Sequence, residues 1–349
     1  MFELYPHQAQ VIDALTQGLR QGHTRQLVAL ATGSGKTIVA AHLGHRAAQK
    51  GNRTIFIVPS IELTTQAVDT FARQGLRVGI LRGDDTNYSH QDEIIVATVQ
   101  SIHSRSAPDG MDLAIIDECH VLHQEHKSLM EAWGGKPFIG LSATPLTKGL
   151  GQIFTNLVRG PSIRELTEQK FLVPPRAYAP CADAVLKALA DVSCGGGAAG
   201  YDYKENELAA AMNAKRLIGD IVRTWEDKGE DRPTLCFATN VAHSQSIRDD
   251  FSAAGITAAH LDFRTEPSER RDIIAGFKAG TIKILTSVNI LGVGFNVPDA
   301  GCLILARPTL SLGLHLQQCG RGLRVAPSKD DCIILDHSGN CLKHGLPHH

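Results

Sequence analysis

The apolar run QLVALA at 26–31 leads directly into the glycine-rich stretch ATGSGKT at 31–37, and a helical segment follows. Strand, tight turn and helix in that order make the first half of a β-α-β unit, which commits the chain to a parallel sheet. The pattern recurs in TIFIV at 54–58, EIIVA at 93–97, DLAIID at 112–117 and PFIGLS at 137–142. Strands apolar at every position are buried on both faces, so helices must cover the sheet on both sides. A second series, TLCFA at 234–238, TIKILT at 281–286, CLILA at 302–306 and CIILD at 332–336, predicts a second sheet of the same kind. The fold class is therefore α/β, with two mostly parallel sheets in tandem.

A length of 349 residues agrees with two domains, since one domain usually takes roughly 100 to 200. Three consecutive glycines in SCGGGAAG at 193–200 hold no fixed backbone cheaply. The expected division is thus 1–180 and 205–349, with a linker over 181–204. The formal net charge of -1 announces no basic surface, so a polyanionic partner has to be argued from motifs. Eight cysteines without a C-x-x-C pair read as free thiols in a reducing compartment, with Cys236, Cys302 and Cys332 buried on apolar runs. His42 and His45, or His120, His123 and His126, have helical spacing, but no carboxylate or cysteine completes a zinc set. No apolar run approaches the ~18 residues of a membrane span, and the chain is expected to be cytoplasmic.

In ATGSGKT the backbone N–H groups of Gly33, Ser34 and Gly35 can face a phosphate chain, and the helix that follows adds its own preference for anions. Lys36 would neutralise the β and γ phosphates of ATP, and Thr37 would ligate magnesium. The generic pattern asks for glycine at position 30, where this chain has Leu30. Asp117 and Glu118 end an apolar strand and so stand at the carboxyl edge of the sheet. Asp117 suits contact with the magnesium ion, and Glu118 suits deprotonation of a water.

ATGSGKT, DECH at 117–120, SAT at 142–144 and QQCGRGLR at 317–324 occur in the order of motifs I, II, III and VI of superfamily 2 DExH helicases, which the whole chain resembles. IVPSIELTTQ at 57–66, VATVQS at 96–101, CFATNVAHS at 236–244 and TSVNILGVGFNVPDA at 286–300 are similar to the remaining motifs. FLVPPRAYAP, GVGFNVP, ARPTLS and ILDHSGN are similar in wording to the RadD-like bacterial helicases and, more broadly, to type III restriction-enzyme ATPases.

The resemblance implies two RecA-like lobes and an ATP- and magnesium-dependent motor on nucleic acid. DNA is the preferred track and RNA the alternative. It implies Gln8 as the adenine contact, with Tyr5 or Phe2 stacking, and Gly294 as a further nucleotide contact. Gln317, Arg321 and Arg324 would reach from the second lobe toward the γ-phosphate, while His120, Ser142 and Thr144 would couple the water-holding strand to the rest. Pro59, Ser60, Thr98, Gln100, Thr239 and Thr286 would hold the phosphates of a strand, on the face opposite the nucleotide. Asn296 stands where an aspartate is frequent. A monomer is expected, with a partner protein supplying a strand-separating wedge or a loading function, because no segment is left over for one. A small-molecule kinase or an ATP-dependent clamp are the competing classes.

Overall fold

The computed structural model describes residues 3–120, 124–145, 149–179, 182–197, 200–212, 215–288, 300–327 and 329–348. Two compact units divide between Ser162 and Ile163.

In the first unit seven strands run β1 (Arg25–Ala29), β2 (Thr54–Val58), β3 (Val78–Leu81), β4 (Ile94–Thr98), β5 (Leu113–Ile116), β6 (Phe138–Ser142) and β7 (Asn156–Arg159). Their order across the sheet is β3-β4-β2-β5-β6-β1-β7, and every pairing is parallel. Successive side chains of a strand face opposite ways, and β2 shows the result. Phe56 and Val58 pack into a core with Val11, Leu15 and Phe71, whereas Ile55 and Ile57 pack with Leu129, Met130 and Phe154 on the other side. Both faces are dry, which is why the sequence of β2 is apolar throughout.

The second unit begins with β8 (Pro175–Tyr178) and carries the hairpin β9 (Cys194–Gly197) and β10 (Gly200–Tyr203). The series continues with β11 (Thr234–Phe237), β12 (Ala258–Leu261), β13 (Ile284–Ser287), β14 (Cys302–Leu305) and β15 (Cys332–Asp336). A six-stranded parallel sheet has the order β12-β13-β11-β14-β15-β8. Cys236, Cys302 and Cys332 are fully buried in it, and burial drives all three thiols upward, Cys332 to about 12. They behave as small core side chains. No helix among the described residues is long and apolar enough to cross a membrane.

Two sequence expectations are corrected here. The boundary expected at 180 falls earlier, because β8 completes the second sheet against β15. The segment 181–204 is not a bare linker. Helix Ala182–Leu189, the β9–β10 hairpin and helix Glu205–Met212 gather around Val185, Leu208 and Met212, with Leu189, Val192 and Tyr203 against them. The hairpin is tied to the body of the unit by Asp202. Its carboxylate accepts from Thr309 Oγ1 and from Leu310 N, both at 2.7 Å. Glycine in this stretch serves antiparallel pairing, Gly200 against Gly197 and Tyr201 against Gly196.

Candidate nucleotide and strand-binding site

The ATGSGKT loop joins the end of β1 to helix Lys36–Ala48. Gly33 and Gly35 take φ of +89° and +88°, a region that side chains rarely adopt. A Cβ at Gly35 would run into Gln8 Nε2. The loop is braced from below by helix Pro6–Arg20, where Gln8 Nε2 donates to Ser34 O at 2.9 Å and His7 Nε2 lies 3.2 Å from the same oxygen. Gln8 Oε1 accepts from Tyr5 N at 3.0 Å, and the side chain is only 2% exposed. A carboxamide offers two donors and two lone pairs, so one of each is committed to the loop and its approach. Sequence reasoning expected an adenine contact at Gln8 and missed this bracing role. It missed His7 altogether, for which PHQ ahead of a helix is the one available signal.

Leu30 is 1% exposed and belongs to the core beneath the loop, and its N–H donates to Ser142 O at 2.9 Å. A Cβ on Gly160 would lie 2.5 Å from Leu30 Cδ2. The glycine at 160 thus makes room for the leucine that replaces the usual glycine at 30.

Replacing Gln8 by alanine is expected to weaken ATP binding about tenfold, since each orphaned buried polar group costs about 1–3 kcal/mol. Nucleotide titration checks this. Unchanged affinity would show that the loop keeps its shape without the brace.

The strands β5 and β6 bring the acidic and coupling residues to the same edge of the sheet. Glu118 has φ of +49°, a left-handed conformation uncommon outside glycine and often found at functional sites. It is held there by Asp117 Oδ1, which accepts from Glu118 N at 3.0 Å, and by Cys119 N donating to Leu141 O at 3.0 Å. A continuous polar chain results. Lys36 Nζ lies 3.8 Å from Glu118 Oε1, His120 Nδ1 lies 3.3 Å from Glu118 Oε2 and 3.4 Å from Ser142 Oγ, and Ser142 Oγ accepts from Thr144 N at 3.0 Å. Burial, followed by the like charge of Glu118, pushes Asp117 up to about 7 against the pull of Lys36. Two adjoining carboxylates, one of them desolvated, are a donor set that gains from a hard cation. Gly33, Ser34, Gly35, Lys36, Thr37, Asp117, Glu118, His120, Ser142 and Thr144 all lie at the ends of β1, β5 and β6, which are neighbours in the sheet.

The strand-binding candidates divide. Pro59 and Ser60 follow β2 and are half-buried; Gln100 follows β4 and is exposed. Ser60 caps helix Ile61–Arg73 by accepting from Leu63 N. The hydroxyls of the three threonines turn inward. Thr98 is 2% exposed and bonds Ser101 Oγ at 2.8 Å as the cap of helix Val99–Arg105. Thr239 and Thr286 are fully buried; Thr239 Oγ1 donates to Ala306 O at 3.4 Å and Thr286 Oγ1 to Ser244 O at 3.0 Å. Such hydroxyls are spent on the fold. Gly294, Asn296 and Phe2 lie outside the described residues.

In the second unit Gln317 and Arg321 share a face of helix Leu312–Gly322, being four residues apart. A Cβ on Gly322 would lie 2.5 Å from Cys332 Sγ and 2.7 Å from Leu303 Cγ, so this glycine lets the helix sit directly on β14 and β15. Arg324 follows, its backbone bridged to Leu172, and loss of water lowers its guanidinium below the usual arginine range. A desolvated guanidinium favours an anionic partner. Ser311 caps the helix, accepting from Leu314 N at 3.2 Å.

Residues 1–147 match the family model of the type III restriction enzyme res subunit, and residues 214–326 match that of the helicase conserved C-terminal domain. The 51.5 kDa protein of a Lactococcus phage is 30% identical over 91% of this chain and 67% of its own length. The chain belongs to the superfamily 2 helicases, on their type III restriction-enzyme branch. A Saccharomyces cerevisiae protein provisionally named ATP-dependent helicase IRC3 is 31% identical over 96% of the chain and 51% of its own length. This superfamily 2 chain therefore spans about half of the one relative and two thirds of the other. A fragment structure provisionally assigned as the HsdR subunit of a type I restriction enzyme from Vibrio vulnificus has a TM-score of 0.76 at 23% identity, over 99% of this chain and 66% of that one. Two tandem RecA-like domains, each a parallel sheet between helices, are the fold they share.

Proposed function

We propose that the chain is an ATP-hydrolysing motor that moves on nucleic acid, with DNA as its track. The observation that carries the reading is the polar chain Lys36–Glu118–His120–Ser142, held by a strained Glu118 at the mouth of the phosphate-binding loop. In this reading Gly33, Ser34, Gly35 and Lys36 hold the phosphates, and Gln8 uses its remaining donor and lone pair on the adenine edge, with Tyr5 beside the ring. Thr37 and Asp117 hold magnesium, which when bound supplies charge neutralisation to the phosphates. Glu118 takes a proton from the attacking water. Arg321 and Arg324, with Gln317 beside them, stabilise the phosphate charge that develops in hydrolysis, from a lobe whose approach is the closing step. His120, Ser142 and Thr144 pass the state of Glu118 to the end of β6. Pro59, Ser60 and Gln100 grip the strand along the β2–β4 end of the same sheet edge.

The preference for DNA draws on relatives. A Sulfurisphaera tokodaii protein named DNA 3'-5' translocase XPB2 is 24% identical over 92% of this chain and 79% of its own length. The test is ATP turnover with and without single-stranded DNA, duplex DNA, branched DNA and RNA. Stimulation by DNA above RNA is the expected result. Turnover indifferent to every nucleic acid would reject the motor, and stimulation by RNA alone would reassign the track.

A further inference from the structure

Phe263 is 71% exposed, the most exposed large hydrophobic side chain among the described residues. It follows β12, whose Leu261 lies beside Ser287 of β13, which in turn lies beside Phe237 of β11. The turn therefore stands at the edge of the second sheet from which residues 239–240 and residue 288 also emerge. Isolated exposed aromatics are ordinary on protein surfaces, but the backbone under this one is fixed in four ways. Asp262 Oδ1 accepts from Arg264 N at 2.8 Å and from Thr265 N at 3.0 Å, Thr265 Oγ1 accepts from Asp262 N at 3.0 Å, and Arg270 Nη2 donates to Asp262 O at 3.1 Å. Asp262 is held inward, 5% exposed and 3.4 Å from His260 Nε2, so the next side chain is held outward. The guanidinium carbon of Arg264 lies 5.2 Å from the Phe263 ring centroid, and ring and cation are presented together.

A rigid apolar face with a cation at its rim matches a ligand that is flat, apolar on its faces and anionic alongside. An unstacked nucleobase with its phosphate has that chemistry. We propose that Phe263 and Arg264 form a base-stacking site for single-stranded nucleic acid, the ring taking the base and the guanidinium the adjoining phosphate. This site rests on the reading of the chain as a nucleic-acid motor. It gives the second unit a strand contact in place of the buried hydroxyls of Thr239 and Thr286. Because stacking accepts any base, it grips without reading sequence, as a motor requires.

The test compares a fluorescent mixed-sequence oligonucleotide with an abasic strand of equal length, each titrated by anisotropy into the full chain with a non-hydrolysable ATP analogue present. Phe263→Ala is expected to weaken binding of the base-containing strand about 5- to 150-fold, the range for losing one base stack, and to leave the abasic strand unaffected. Phe263→Trp is expected to keep the preference, and Arg264→Ala to weaken both strands with a shallower salt dependence. Melting temperature should not change in Phe263→Ala, because the ring is exposed. Equal loss on both strands, or no loss on either, would overturn the stacking site and leave the motor reading standing. A wild-type chain that binds neither strand would overturn both.

Discussion

Glu118→Gln is expected to cut ATP turnover by about 10²- to 10⁴-fold, the span of a positioned general base, while ATP still binds. The amide keeps the shape of the side chain but cannot take a proton, and its oxygen still faces Lys36. The strained backbone at Glu118 gives the prediction its force, since a conformation that disfavours most side chains persists only where the surroundings over-determine it. Two measurements made on one preparation decide the matter, nucleotide affinity by titration and turnover in saturating DNA. Near-normal turnover would remove Glu118 as the base. Loss of both would recast it as a structural partner of Lys36, 3.8 Å away.

Arg321→Ala and Arg324→Ala are each expected to lower kcat by about 10³- to 10⁵-fold, as loss of an arginine finger does in related phosphoryl transfer. ATP affinity of the free protein should change far less. The double variant should be little worse than either single one, because groups that serve one transition state do not add. Lysine should rescue poorly, since it lacks the planar fork of donors. The comparison that decides is kcat against nucleotide affinity at saturating DNA. Normal hydrolysis in either single variant would remove that arginine from the reaction.

The central strands of both sheets were legible because burial on two faces demands an unbroken apolar run. Within the two parallel sheets, the four strands without such runs are the edge strands: β3 and β7 in the first, β8 and β12 in the second. Their residues, VGIL, NLVR, PRAY and AAHL, alternate or stay half-buried, so they carry too little apolar signal to stand out from loops. The loop residues that require glycine were equally legible, since ATGSGKT names its own backbone. Side-chain direction was not. Thr98, Thr239 and Thr286 sit within recognisable motifs, yet a motif gives the position of a hydroxyl and not the way it points. Gln8 shows the same limit from the other side, its amide turned toward Ser34 by a fold the local sequence does not disclose.

The Asp202 link gives the SCGGGAAG hairpin a mechanical position that its composition conceals. Thr309 and Leu310, the residues it holds, immediately precede Ser311, which caps the helix bearing Gln317 and Arg321. Thr309 N is also fixed by Asn340 Oδ1 at 3.0 Å, so the start of that helix is clamped from two sides. One clamp belongs to helix Asn340–His344, which follows β15, and the other to the β9–β10 hairpin. The placement of the helix that carries Gln317 and Arg321 is therefore set in part by a hairpin whose composition reads as a linker.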